Sequence, residues 1–216
     1  LTCQQLVFMT NNPIFQAIQQ ISSELSQVEF LFSAQDTKPY GSDYTEDLFF
    51  QPTAVCFPRS TNEVSEIMKR CYVLEVPVFT RGAGTGLSGA CLPVSSGLVL
   101  STKKLNRIVN IDSQNLTATV ESGVINSNLK LAVEEHGLYY PPDPASQGSC
   151  SIGGNLAHGA GGPRAVKYGI TRDYVLNLEI VLPNGEVLWT GANTLKNSTG
   201  YNLTQLITGS EGTLAV

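Results

Sequence analysis

Apolar residues recur along this chain in two rhythms, and the elements follow the changes of rhythm. Across residues 12–34, Ile14, Ile18, Ile21 and Leu25 fall three or four apart, which predicts an amphipathic helix with Pro13 in its first turn. Residues 42–52 are polar and then aromatic, as expected of a covering loop. A short apolar run at 54–57, closed by Pro58, reads as a strand. Ser60 and Glu63 then form a capping-box signature, and Val64, Ile67, Met68, Cys71 and Tyr72 trace one helical face. Residues 76–80 return to strand character, so strand, helix and strand make a βαβ unit that favours parallel pairing. Another strand is predicted at 97–102, and a hairpin joins 107–112 to 116–123. A helix opens at Asn126 or Ser127, contains Leu129, Leu131, Ala132 and Val133, and stops at Gly137. Residues 139–169 show little regular pattern and predict a loop of about thirty residues, a length that is usually functional when it is not disordered. The last third predicts a hairpin over 176–190 turning at Asn184-Gly185, then a short helix from Tyr201 to Ile207 ended by Gly209. The β-prone run that closes the sequence at Val216 suggests a chain cut from a longer protein.

Two segments break these rhythms with glycine. The first follows the strand at 76–80 and holds Gly82, Gly84, Gly86 and Gly89. A dinucleotide loop of the Rossmann kind needs a helix directly after its glycines, because the helix N-terminus receives the diphosphate. Here Leu92, Pro93 and the Ser95–Gly97 turn lead straight into the next strand, so that reading fails in context. A loop that turns successive backbone N–H groups inward can bind phosphate without a helix, with Thr85 and Ser88 adding hydroxyls and Arg81 adding charge. The alternative is a glycine-rich turn that simply packs tightly. The second segment, residues 151–162, carries Gly153, Gly154, Gly159, Gly161 and Gly162. Two such segments in one chain suit a single extended ligand, such as a large planar ring system bearing a diphosphate.

Composition narrows the classes. The chain has 216 residues, 42% hydrophobic and 14% charged, with a net charge of −5 and no basic cluster, so nucleic-acid binding has no electrostatic footprint. No apolar run approaches the roughly 18 residues of a membrane span, and residues 1–12 lack the pattern of a secretory signal. Five cysteines, widely spaced and without a C-x-x-C pair, suggest reduced thiols in a cytoplasmic protein, with peripheral membrane association left open. Only His136 and His158 are present, so no metal site is expected. His136 suits the last turn of its helix, and His158 stands inside the second glycine segment, where it either packs the loop or lines the ligand.

The blocks at 81–90, 141–146, 151–162, 166–188 and 200–214 occur in an order that resembles the FAD-linked oxidases of the vanillyl-alcohol-oxidase and p-cresol-methylhydroxylase type. The resemblance spans residues 51–216 and is nearest to the branch of glycolate oxidase catalytic subunits and D-lactate dehydrogenases. It implies an α+β fold with two α/β subdomains, one a small parallel βαβ unit and the other a larger, mainly antiparallel sheet with flanking helices, and FAD between them. Residues 1–50 would lead in, 51–105 form the first subdomain and 106–216 the second. By the same resemblance Arg81, Gly82, Ala83, Gly84, Thr85, Gly86, Leu87 and Ser88 would wrap the pyrophosphate. Pro142, Asp143, Pro144 and Ser146 would flank the flavin. Ser151, Ile152, Gly153, Gly154 and Asn155 would meet the pyrophosphate and the middle of the cofactor, with Ala157, Gly161 and Gly162 continuing along it. Tyr168 and Gly169 would sit near the isoalloxazine, and Glu211, Gly212 and Val216 would border the adenine or ribose.

Thr85 stands where covalently flavinylated members of this family often carry histidine, which implies non-covalent FAD. Ala83, Asn202 and His158 also depart from the commoner glycine, aspartate and asparagine. The family binds its substrate in a C-terminal cap domain that these residues do not include, and no catalytic acid or base is assigned among them. The resemblance implies hydride transfer from a 2-hydroxy acid such as glycolate or D-lactate to flavin N5, with the electron acceptor unspecified. Two other readings are a non-catalytic flavin module that needs a partner chain, and a sugar oxidase or UDP-sugar enolpyruvyl reductase of the same fold.

Overall fold

The computed structural model describes residues 12–216. Cys3 lies outside them. The first helix, α1 (Pro13–Glu24), is capped by Asn12, whose side chain accepts from the Ile14 N–H at 2.9 Å, and it buries Phe15, Ile18 and Ile21. It does not run on to residue 34. After Leu25 the chain turns, with the Val28 N–H donating to the Leu25 carbonyl, and forms β1 (Glu29–Leu31) and a one-turn helix α2 (Ala34–Thr37). The aromatic residues there decide the outcome: Phe32 packs edge-on against Phe15, which requires the chain to double back along α1.

Strand β2 (Ala54–Phe57), helix α3 (Thr61–Val73) and strand β3 (Val78–Arg81) make the expected βαβ unit, and β4 (Leu98–Ser101) completes a four-stranded sheet of order β1-β2-β4-β3. Strands β2 and β3 are both parallel to β4, which is inserted between them, and β1 runs antiparallel at the edge beside β2. Side chains alternate across this sheet. Ala54, Cys56, Leu98 and Leu100 face α1 and α3, meeting Ile18, Ile21, Val64, Ile67 and Cys71. Val55, Phe57 and Val99 face the other way, against Leu31, Tyr40 and Phe79. Ser60 caps α3 by accepting from the Glu63 N–H at 3.2 Å, and the Glu63 carboxylate reaches the Arg59 N–H at 2.7 Å.

The second half is built from separate pieces. Strands β5 (Ile108–Asp112) and β6 (Thr117–Val120) form one antiparallel ladder. Strands β7 (Glu179–Val181) and β8 (Val187–Trp189) form another, turning at Asn184-Gly185 with Gly185 at φ +84°. The antiparallel part is therefore two two-stranded ladders, because helices and loops lie between them. Helix α4 (Asn126–Glu134) covers the first ladder, and Val124, Leu129, Val133 and Ile152 form its core. Val181 and Val216 pack into the core of the first half. The 139–169 stretch is not wholly irregular. It contains α5 (Ile152–His158) and the single turn α6 (Ala165–Tyr168). Ser151 caps α5 by accepting from the Gly154 N–H at 3.3 Å, and Gly159 ends it at φ +59°, so cap residues override the glycine pair inside the helix. The last helix, α7 (Leu203–Ile207), starts at an Asn202 cap, slightly later than the sequence predicts.

Among the described residues no helix is long and apolar enough to cross a membrane. The four described cysteines are free thiols. Burial pushes the Cys71 thiol up to about 12 and holds Cys56, which also faces Cys71, well above the usual thiol range, so both behave as core residues.

Candidate functional site

The first glycine segment leaves the carboxyl end of β3, where open α/β sheets bind ligands. Residues 82–97 contain no helix, as the sequence predicts. Gly84 has φ +72°, a backbone conformation that glycine adopts freely. Among the described residues, no protein acceptor takes a hydrogen bond from the backbone N–H groups of Ala83 to Ser88. Gly84, Thr85 and Gly86 are half-buried while Ala83, Leu87 and Ser88 are exposed, so these amides are open to an acceptor that the chain does not supply. The side chains of Thr85 and Ser88 add hydroxyls, and Leu87 is 77% exposed.

The Arg81 guanidinium donates to the Ser42 carbonyl at 2.8 Å and to Cys91 Sγ at 3.2 Å, and lies 5.8 Å from the Tyr40 ring centroid. The side chain braces the loop, and its Nη2 would lie 2.1 Å from a Cβ on Gly84, which sets its charge beside the loop backbone. Asp43 adds to this brace, with its Oδ1 accepting from the Thr45 N–H at 2.8 Å and its Oδ2 lying 3.9 Å from Cys91 Sγ. Burial raises the Cys91 thiol above its ordinary value, only partly offset by Arg81, so it stays a thiol at neutral pH.

The second glycine segment packs directly on the first. A Cβ placed on Gly82 would lie 2.5 Å from Ser151 Oγ and 3.5 Å from Gly154 Cα. A Cβ on Gly86 would lie 3.2 Å from His158 Nε2. The amides that open α5 are taken up within the protein. Ile152 donates to Val124 O at 2.8 Å, Gly153 to Ser122 O at 2.7 Å, Gly154 to Ser151 Oγ and Asn155 to Ser151 O. These bonds dock α5 onto the strand-to-helix connection at 121–125, so Ser151 to Asn155 form a wall.

Asn155 and Asn126 extend that wall through a buried chain. Asn155 Nδ2 donates to Asn126 Oδ1 at 3.1 Å, and Asn126 Nδ2 donates to the Pro142 carbonyl at 3.2 Å. This fixes the Pro142–Ser146 segment beside the first loop, where Ser146 Oγ lies 3.5 Å from Thr85 Oγ1. The Pro144 carbonyl accepts from Gln147 N, closing a turn. Asp143 is locked to the end of the second segment: a Cβ on Gly162 would lie 2.2 Å from its carbonyl, and Arg164 Nε lies 3.2 Å from its Oδ2. Gly161 packs against Ile170, and Thr171 donates to the Ala160 carbonyl.

Farther out, Tyr168 stacks edge-on with Tyr139 at 6.1 Å and its carbonyl accepts from Tyr174 Oη at 2.5 Å, while Gly169 turns at φ +83° against Asp173. Burial pushes the Tyr140 hydroxyl up to about 12, with a hydrogen bond to Thr171 as a smaller opposing effect. Glu211 donates its N–H to the Ala157 carbonyl at 2.9 Å, which sets the 209–212 turn on the end of α5, with Gly212 against Thr80 of β3. Val216 is tied to the second ladder. It exchanges both backbone hydrogen bonds with Val181 and packs into the first core, because the closing residues extend the β7 edge.

A cavity of about 170 Å³ lies behind the first loop, bounded by Gly82, Ala83 and Ser151 on one side and by Lys103, Asn106, Gly123–Ile125 and Asn128 on the other. It is smaller than the 300 Å³ or so of a typical ligand pocket. The residues on this second side are absent from the sequence expectation. Gly123 offered the one usable signal, a glycine between a strand and a helix. Unpaired amides, glycines that a Cβ would overfill and a bordering cavity together fit a ligand with a diphosphate.

A family model described as "FAD binding domain" matches residues 52–191. The glycolate oxidase subunit GlcD of Bacillus subtilis is 49% identical over 177 residues, covering 82% of this chain and 38% of that protein. The D-lactate dehydrogenase of Archaeoglobus fulgidus is 43% identical over 197 residues, covering 89% of this chain and 44% of that protein. This chain thus spans about two fifths of the length of these relatives. Among solved structures, p-cresol methylhydroxylase with substrate bound superposes with a TM-score of 0.79 at 23% identity, over 95% of this chain and 42% of that one.

Proposed function

The chain belongs to the FAD binding domain family, and from that premise we propose that it is the cofactor-binding part of a flavin-dependent oxidoreductase acting on a 2-hydroxy acid such as glycolate or D-lactate. The observation that carries the reading is the run of unpaired amides from Ala83 to Ser88 beside a second glycine segment. These amides, with the Thr85 and Ser88 hydroxyls, would hold the diphosphate. Pro142–Ser146, Gly161 and Gly162 would border the rest of the cofactor, with Tyr168 and Gly169 at its margin. Bound FAD supplies the two-electron chemistry that takes hydride from the α-carbon. The work of this chain's residues is to orient the cofactor and exclude water: Ser151, Asn155 and Asn126 hold the wall, and Arg81 holds the loop.

Thr85 in the first loop supports non-covalent attachment. The free cysteines suit a reducing cytoplasmic setting. The greater length of the relatives supports a substrate pocket completed by polypeptide outside these residues, as a cap domain would provide. Anaerobic addition of D-lactate or glycolate to the whole protein is expected to bleach its flavin absorbance. Bleaching by sugars, with none by any 2-hydroxy acid, would move the assignment to a sugar-oxidising enzyme of the same fold.

A further inference from the structure

Arg81 donates to Ser42 and Cys91, and its guanidinium borders the first glycine segment at Gly84. A diphosphate is anionic, and a carboxylate already borders the loop: Asp43 Oδ2 would lie 3.8 Å from a Cβ on Gly86. Glu211 stands close by, on the turn seated at the end of α5. His158 lies among these groups. Its Nε2 would be 3.2 Å from the same Gly86 Cβ, and its Nδ1 lies 3.7 Å from Glu211 Oε1. The ring is held at a helix end closed by left-handed Gly159, and its side chain is 33% exposed, so it is accessible to a ligand in the loop.

We propose that His158 is a phosphate ligand of the bound FAD, its Nε2–H directed at the Gly82–Ser88 loop and its ring oriented by Glu211. The inference rests on the FAD reading above. Histidine donates from both nitrogens only when protonated, and then it also offsets the two carboxylates. The titratable and charged groups that face it are Glu211 from the 209–212 turn and Asp43 from the segment before β2, with Arg81 and Cys91 behind Asp43. Helix α5 and the loop at 82–88 carry no other titratable side chain. Protonation of the ring and binding of the diphosphate then favour each other, so FAD affinity rises as pH falls.

The test is a titration of the flavin-stripped protein with FAD, followed by flavin fluorescence at constant ionic strength between about pH 8.5 and about pH 5.5. The wild-type Kd is expected to fall by about tenfold toward the lower pH, the scale of one charge-assisted hydrogen bond. His158→Asn should hold the same Kd within about twofold across the range, near the wild-type value at high pH. A flat wild-type profile overturns the role of His158 and leaves the FAD reading standing, and it needs no variant. A variant that keeps the wild-type slope also overturns it. Failure of the wild type to bind FAD at every pH overturns both.

Discussion

Gly84→Val is expected to yield a folded protein that no longer retains flavin. Gly84 sits at φ +72°, where a β-branched residue is strained by at least about 1–2 kcal/mol. Space is also lacking, since a Cβ there would lie 2.1 Å from Arg81 Nη2 and 2.5 Å from its Cζ. A flexible arginine could move aside, but this one is tied to Ser42 O and Cys91 Sγ on the far side of the loop. Valine must therefore displace the loop, and with it the amides of Ala83 to Ser88. The loop lies at the surface and outside the three hydrophobic cores, so global stability should fall only modestly. FAD affinity is expected to drop by at least about 100-fold, the loss of two charge-assisted hydrogen bonds. Circular dichroism and fluorescence titration separate the two effects. Normal flavin retention would mean that the loop does not hold the cofactor.

Gly123→Ala is expected to cost considerable stability for one added methyl group. A Cβ at Gly123 would lie 2.3 Å from the Thr102 carbonyl and 2.7 Å from the Leu105 carbonyl, both backbone atoms, and the Gly123 N–H donates to Leu105 O at 2.6 Å. No rotamer change can relieve that contact. The chain must open where the turn after β4 meets the connection to α4, at about 3 kcal/mol, the upper part of the range for overpacking. At 2–4 °C for each kcal/mol in a domain of this size, the melting temperature should fall by roughly 6–12 °C. Val124 and Ile125, which line the cavity, would shift with it. An unchanged melting temperature would show that this junction is looser than the structure describes.

The sequence made legible what depends on near neighbours. Strand β2, the cap of α3, the Asn184-Gly185 hairpin and the absence of a helix after the first glycines all follow from residues within a few positions of one another. What it hid depends on distance. The insertion of β4 between β2 and β3 is set by pairing across the sheet. The hydrogen bond from Arg81 to Ser42, 39 residues earlier, is likewise set by the fold. The opening of α5 read as loop because two glycines mask a helix whose Ser151 cap and left-handed Gly159 outweigh their propensity. Its first amides are taken by the carbonyls of Val124 and Ser122, about thirty residues earlier. Gly123 and Asn126 escaped notice for a related reason: one is needed for close approach of a distant backbone, the other for a buried bond to Pro142.

The central claim is that FAD is held, without a covalent link, by the amides of Ala83 to Ser88 against the wall formed by α5. The direct measurement is the absorbance of the purified protein before and after acid precipitation. The account predicts flavin bands in the native protein and FAD, near one per chain, in the supernatant. A colourless protein that also fails to take up added FAD would contradict it.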